Sequence, residues 1–67
     1  MPPKVRQLAS ILRHAAFTEN SGKGSHRKFK HPSGVRVILS GNLGDDADKY
    51  QINEVEEALR KVKYERN

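Results

Sequence analysis

Ser25-His26-Arg27-Lys28-Phe29-Lys30-His31 and Val35-Arg36-Val37-Ile38-Leu39, joined by His31-Pro32-Ser33-Gly34, read as two strands and the turn between them. Side chains of a strand alternate between its faces. With Phe29 pointing inward, Ser25, Arg27 and His31 share its side, and His26, Lys28 and Lys30 stand together on the other. The turn has Pro where the first central residue needs a fixed φ and Gly in its fourth position. Beyond it, Val35, Val37 and Leu39 face inward while Arg36 and Ile38 face outward. The pair is predicted to be an antiparallel hairpin with His26, Lys28, Lys30 and Arg36 on one face.

Toward the N-terminus, Val5, Leu8, Ala9, Leu12, Ala15 and Ala16 recur at three- and four-residue spacing, which predicts an amphipathic helix from Lys4 to Ala15. Ile11 widens its apolar face, and Pro2 and Pro3 precede it, where missing amide donors cost little. Phe17-Thr18-Glu19 is a short strand, and Asn20-Ser21-Gly22-Lys23-Gly24 a polar loop. Toward the C-terminus, glycines and aspartates make Ser40 to Lys49 a loop. Ile52, Val55, Ala58, Leu59 and Val62 then form the stripe of a second helix. Its start is either Asp48 with Gln51 or Asn53 with Glu56, each pair offering a cap and a residue three later that reaches back. The order is αβββα, an α+β domain spanning residues 1–67. Two helices cover one face of a three-stranded antiparallel sheet and leave the other face to His26, Lys28, Lys30 and Arg36.

Composition narrows the function classes. The chain has 67 residues, 34% of them hydrophobic and none of them cysteine. A domain this short buries only about 60% of its unfolded surface, which argues against a deep pocket for a large cofactor. Without cysteine there is no disulfide, thiolate zinc site or cysteine nucleophile, which fits a reducing cytoplasm. The longest apolar run is Val37-Ile38-Leu39, and no stretch has the character of a membrane span or signal peptide. The net charge of +5 is uneven. Met1 to Arg36 holds eight Lys/Arg and one acid, a balance of +7, whereas Val37 to Asn67 holds five Lys/Arg and seven acids, a balance of −2. A concentrated positive surface attracts polyanions, so nucleic acid is the first partner to consider.

Gly22-Lys23-Gly24-Ser25-His26 combines a flexible loop, whose backbone amides can approach a phosphate, with an exposed imidazole. A β-turn-β setting and the lack of Gly-Lys-Ser/Thr before a helix exclude a nucleotide triphosphate loop. Imidazole exchanges protons near neutral pH, and cationic neighbours favour the neutral ring that a general base requires. This suits phosphodiester cleavage in RNA, where the 2′-hydroxyl is an internal nucleophile and lysines stabilise charge on the phosphorus-bound oxygens. The plainer reading of His26 is a phosphate contact or a surface residue. His14 is assigned to the end of its helix and His31 to the turn. The histidines lack metal-site spacing, and Asp45-Asp46-Ala47-Asp48 lacks the ligand pattern of a calcium loop, so no metal or other cofactor is expected.

Lys4-Val5-Arg6 opening the helix, Phe17 after its end, Lys23-Gly24-Ser25-His26-Arg27-Lys28-Phe29 and His31-Pro32-Ser33-Gly34 resemble the HicA family of bacterial messenger-RNA interferase toxins. The likeness runs over nearly the whole chain. It implies a double-stranded-RNA-binding-domain-like αβββα fold and a catalytic His at the position of His26. It also implies cleavage of cellular RNA and neutralisation by a HicB-type antitoxin. The acidic Asp45 to Asp48 stretch and Ile52-Asn53-Glu54 depart from relatives that enter the last helix through a basic segment and a Gly-Thr pair.

The resulting expectation is a cytoplasmic, metal-independent endoribonuclease toxin. His26 is its catalytic base or acid, and Lys28 and Lys30 hold the phosphate. Lys23, Gly24 and Ser25 shape the loop, with Arg27 and Arg36 as secondary RNA contacts. No second His shares the face, so water or a Lys is left to protonate the leaving oxygen. The competing classes are a non-catalytic RNA-binding module of the same fold and an adaptor acting through protein contacts.

Overall fold

The computed structural model describes residues 2–21 and 26–62. Helix α1 (Val5–His14) is followed by β1 (Thr18–Ser21), β2 (Arg27–Lys30), β3 (Arg36–Leu39) and helix α2 (Lys49–Lys61). The strands form one antiparallel sheet in the order β1-β2-β3. Val5, Leu8, Ala9 and Leu12 of α1 meet Phe29, Val37 and Leu39 of the sheet and Val55 and Ala58 of α2 in a single core. Phe29 and Leu39 are fully buried, and burying a side chain of that size stabilises by about 1.5–3 kcal/mol. Lys28, Lys30, Arg36 and Ile38 alternate with these core residues and are exposed, so the helices cover one face of the sheet only.

Four local features depart from the sequence expectations or refine them. Asn20 and Ser21 belong to β1 rather than to a loop, because their backbones pair with Lys28 and Arg27 and the ladder overrides their turn preference. Ala16 does not continue the apolar stripe. It is exposed at φ 73°, where its amide donates to Arg13 O at 3.1 Å while that of Phe17 donates to Leu12 O at 3.0 Å. These two bonds close α1 in a Schellman motif and turn the buried Phe17 back onto the core. Of the two possible starts of α2, Asp48 is the cap, and its backbone N–H donates to Gln51 Oε1 at 3.0 Å. At the hairpin, Gly34 at φ 99° and its N–H bond to His31 O at 2.8 Å make the expected turn.

The acidic loop is structural. Val5 N–H donates to Asp45 O at 2.9 Å and Arg6 N–H to Leu43 O at 3.0 Å, so the loop accepts the first amides of α1. Lys4 N–H bonds Gln7 Oε1 at 2.7 Å, and Lys4 Nζ reaches Asp46 Oδ1 at 2.6 Å. The first turn of α1 contains no acidic residue, and Asp46 brings negative charge to that end from across the chain.

Candidate nucleic-acid interface

Register on the open face brings the cations together. Lys30 lies opposite Arg36 on β3 and Thr18 on β1, and Lys28 lies opposite Ile38 and Asn20. Like charges directly opposite each other destabilise a sheet. Lys30 and Arg36 are nevertheless held side by side, an arrangement that a bound anion would relieve. Asn20, Lys28, Lys30, Arg36 and Ile38 line a shallow recess of about 220 Å³ on this surface.

His26 stands immediately before β2 and is exposed. Together with Arg36, Ile38, Ser40, Tyr50 and Glu54 it lines an adjoining recess of about 370 Å³. Arg36 and Ile38 belong to both recesses, so the imidazole and the lysine row border one continuous surface. Tyr50 and Glu54, one helical turn apart on α2, are not among the site residues expected from the sequence. Their i, i+4 spacing places them on one face of the helix, and that signal was present in the chain.

The other candidate residues sit elsewhere. Arg27 stands apart on the helix-covered face, where its guanidinium donates to Glu19 Oε2 at 2.9 Å, while the other Glu19 oxygen accepts from Arg13 at 2.8 Å. Lys23, Gly24 and Ser25 lie outside the described residues. His14 Nδ1 bonds Ser10 O at 2.8 Å near the end of α1. His31 Nδ1 accepts from Ser33 N–H at 3.0 Å and lies 2.9 Å from Ser33 Oγ. The His31 ring packs edge-on against Phe17 with centroids 5.2 Å apart. Both histidines therefore serve local structure, as expected. Among the described residues no group of three or more His, Cys, Asp or Glu side chains could hold a metal ion.

A family model described as the HicA toxin of bacterial toxin–antitoxin systems matches residues 5–63, which takes in every element of the fold. The chain belongs to the HicA toxin family. It is therefore the toxin component of a toxin–antitoxin pair, and membership in the HicA family implies an antitoxin partner. No curated protein sequence matches the chain. No helix among the described residues of this HicA-family chain is long and apolar enough to cross a membrane.

Proposed function

We propose that this HicA-family chain is an endoribonuclease that cleaves messenger RNA without a metal ion, with His26 as the proton-transfer residue. The observation that carries the reading is the shared surface of the exposed His26 with Lys28, Lys30 and Arg36. A phosphate seated on the cation row brings the neighbouring ribose to the imidazole. His26 takes the proton of the 2′-hydroxyl as its oxygen attacks phosphorus, and the bond to the 5′-oxygen breaks. The products are a 2′,3′-cyclic phosphate and a free 5′-hydroxyl, the latter protonated by water, a Lys or the imidazolium. Lys28 and Lys30 stabilise the charge that builds on the non-bridging oxygens, assisted by Arg36 and by the backbone at Lys23, Gly24 and Ser25. DNA lacks the internal nucleophile, which accounts for a preference for RNA. A HicB-type antitoxin is the proposed partner, covering this cationic face to block it.

The test is incubation of purified protein with single-stranded RNA in EDTA. Cleavage by the wild type, with loss of cleavage but retained binding in His26→Ala, supports the enzyme. Binding with no cleavage by the intact protein leaves a non-catalytic RNA-binding module. In a bacterial host, wild type and His26→Ala should differ in growth arrest and transcript integrity. Equal behaviour of the two strains counts against the assignment.

A further inference from the structure

The recess beside His26 differs in chemistry from the lysine row. Of the three large apolar side chains exposed among the described residues, Ile38, Leu43 and Tyr50, two line it, with Tyr50 54% and Ile38 52% exposed. Its acidic member, Glu54, is exposed, and among the described residues no cation lies within salt-bridge distance of it. Arg36 at its border belongs to the cation row, and Glu54 sets a negative charge beyond it, so the part of the recess toward Tyr50 is less suited to a phosphate. An aromatic ring and a branched aliphatic chain instead offer flat apolar surface, and an ionised carboxylate accepts hydrogen bonds only. Its volume of about 370 Å³ lies near the lower end of the roughly 300–1,000 Å³ usual for small-ligand sites.

A ligand with apolar faces, a rim of N–H donors and a covalent link to a phosphate lying nearby on the cation row fits all of these features. We infer that the recess is a nucleobase subsite. Tyr50 is the platform on which a base of single-stranded RNA stacks, Ile38 packs against that base, and Glu54 accepts from its amino group. Unstacked bases of single strands are what aromatic side chains capture, whereas a base paired in a duplex must first be unstacked and unpaired. An acceptor-only carboxylate reads the exocyclic amines of cytosine, adenine and guanine, whereas uracil offers it only the ring N3–H, so the subsite favours the amine-bearing bases. The subsite deepens the RNA-cleaving reading and rests on it for the identity of the polymer, but it is tested by binding alone.

Fluorescence anisotropy on the full chain carrying His26→Ala, the variant proposed to bind without cutting, compares labelled oligocytidylate with oligouridylate. Tyr50→Ala in that background should weaken oligocytidylate binding about tenfold, and Tyr50→Phe should restore it. Glu54→Leu, which removes the acceptor, should abolish the preference for oligocytidylate over oligouridylate. Circular dichroism should show each variant folded, since Tyr50 and Glu54 are exposed. Unchanged affinity in Tyr50→Ala, or equal binding of the two homopolymers by the parent, would overturn the subsite. Failure of the wild type to cleave RNA with these binding differences intact would overturn the nuclease reading and leave the subsite standing.

Discussion

The side-chain amide of Gln51 donates to the backbone carbonyl of Ser40 at 3.0 Å, while its oxygen accepts from the N–H of Asp48 at the same distance. Gln51 is buried and thus joins the first turn of α2 to the end of β3. That join sets Tyr50 and Glu54 against the side of the sheet that carries His26.

Gln51→Ala leaves the Ser40 carbonyl and the Asp48 amide without their partner. Two part-buried hydrogen bonds are lost, each worth about 0.5–1.5 kcal/mol, and urea denaturation should report a loss of about 1–2 kcal/mol. RNA cleavage should fall as well, because the recess loses its brace. A midpoint equal to the wild type would show that Gln51 does not hold the two elements together.

Glu19 spends one oxygen on Arg13 and the other on Arg27. Arg27 Nε is buried with no hydrogen-bond partner among the described residues, so Glu19 is the main support of that guanidinium. A double-mutant cycle between Glu19→Gln and Arg27→Met should return a coupling of ~1 kcal/mol, in keeping with a half-exposed ion pair. Coupling indistinguishable from zero would reduce the bridge to a surface contact.

Ala16 holds a left-handed conformation that a Cβ disfavours and glycine does not. Ala16→Gly should raise stability by about 0.5–1 kcal/mol, seen as a higher melting temperature with unchanged RNA binding. A fall in melting temperature would mean that the added freedom of the unfolded chain outweighs the relieved strain.

Each phosphate neutralised on single-stranded RNA contributes about −0.7 to the slope of log affinity against log salt. Lys28→Ala, Lys30→Ala and Arg36→Ala should each flatten that slope by about 0.7, and Arg27→Ala should leave it unaltered, since its charge faces Glu19. Equal flattening by all four would mean that RNA reaches the helix-covered side.

Much of the cationic face was legible because strand parity is strict. Once Phe29 is inside, Lys28 and Lys30 are outside, and the His31 to Gly34 turn sets Arg36 beside Lys30. What escaped was long-range or conformational. Alanine carries no mark of a left-handed backbone, so Ala16 reads as one more apolar position. Asn20 and Ser21 resemble loop residues until β2 pairs with them. The reach of Gln51 as a cap was readable, but its bond to Ser40, eleven positions away, exists only once α2 has docked. Tyr50 and Glu54 gain significance for the same reason.

The clasp between the chain's start and the acidic loop bears on the order of folding. Pro3 O accepts from Ala47 N–H at 2.8 Å, and Lys4 bonds Asp46 across 42 positions, whereas the three strands follow one another through short connections. Closing so long a loop costs more entropy than zipping adjacent hairpins, which predicts that the meander forms first and the clasp shuts after the rate-limiting barrier. Ala47→Gly, which loosens the buried backbone at that point, should therefore accelerate unfolding in stopped-flow measurements while leaving the refolding limb in place.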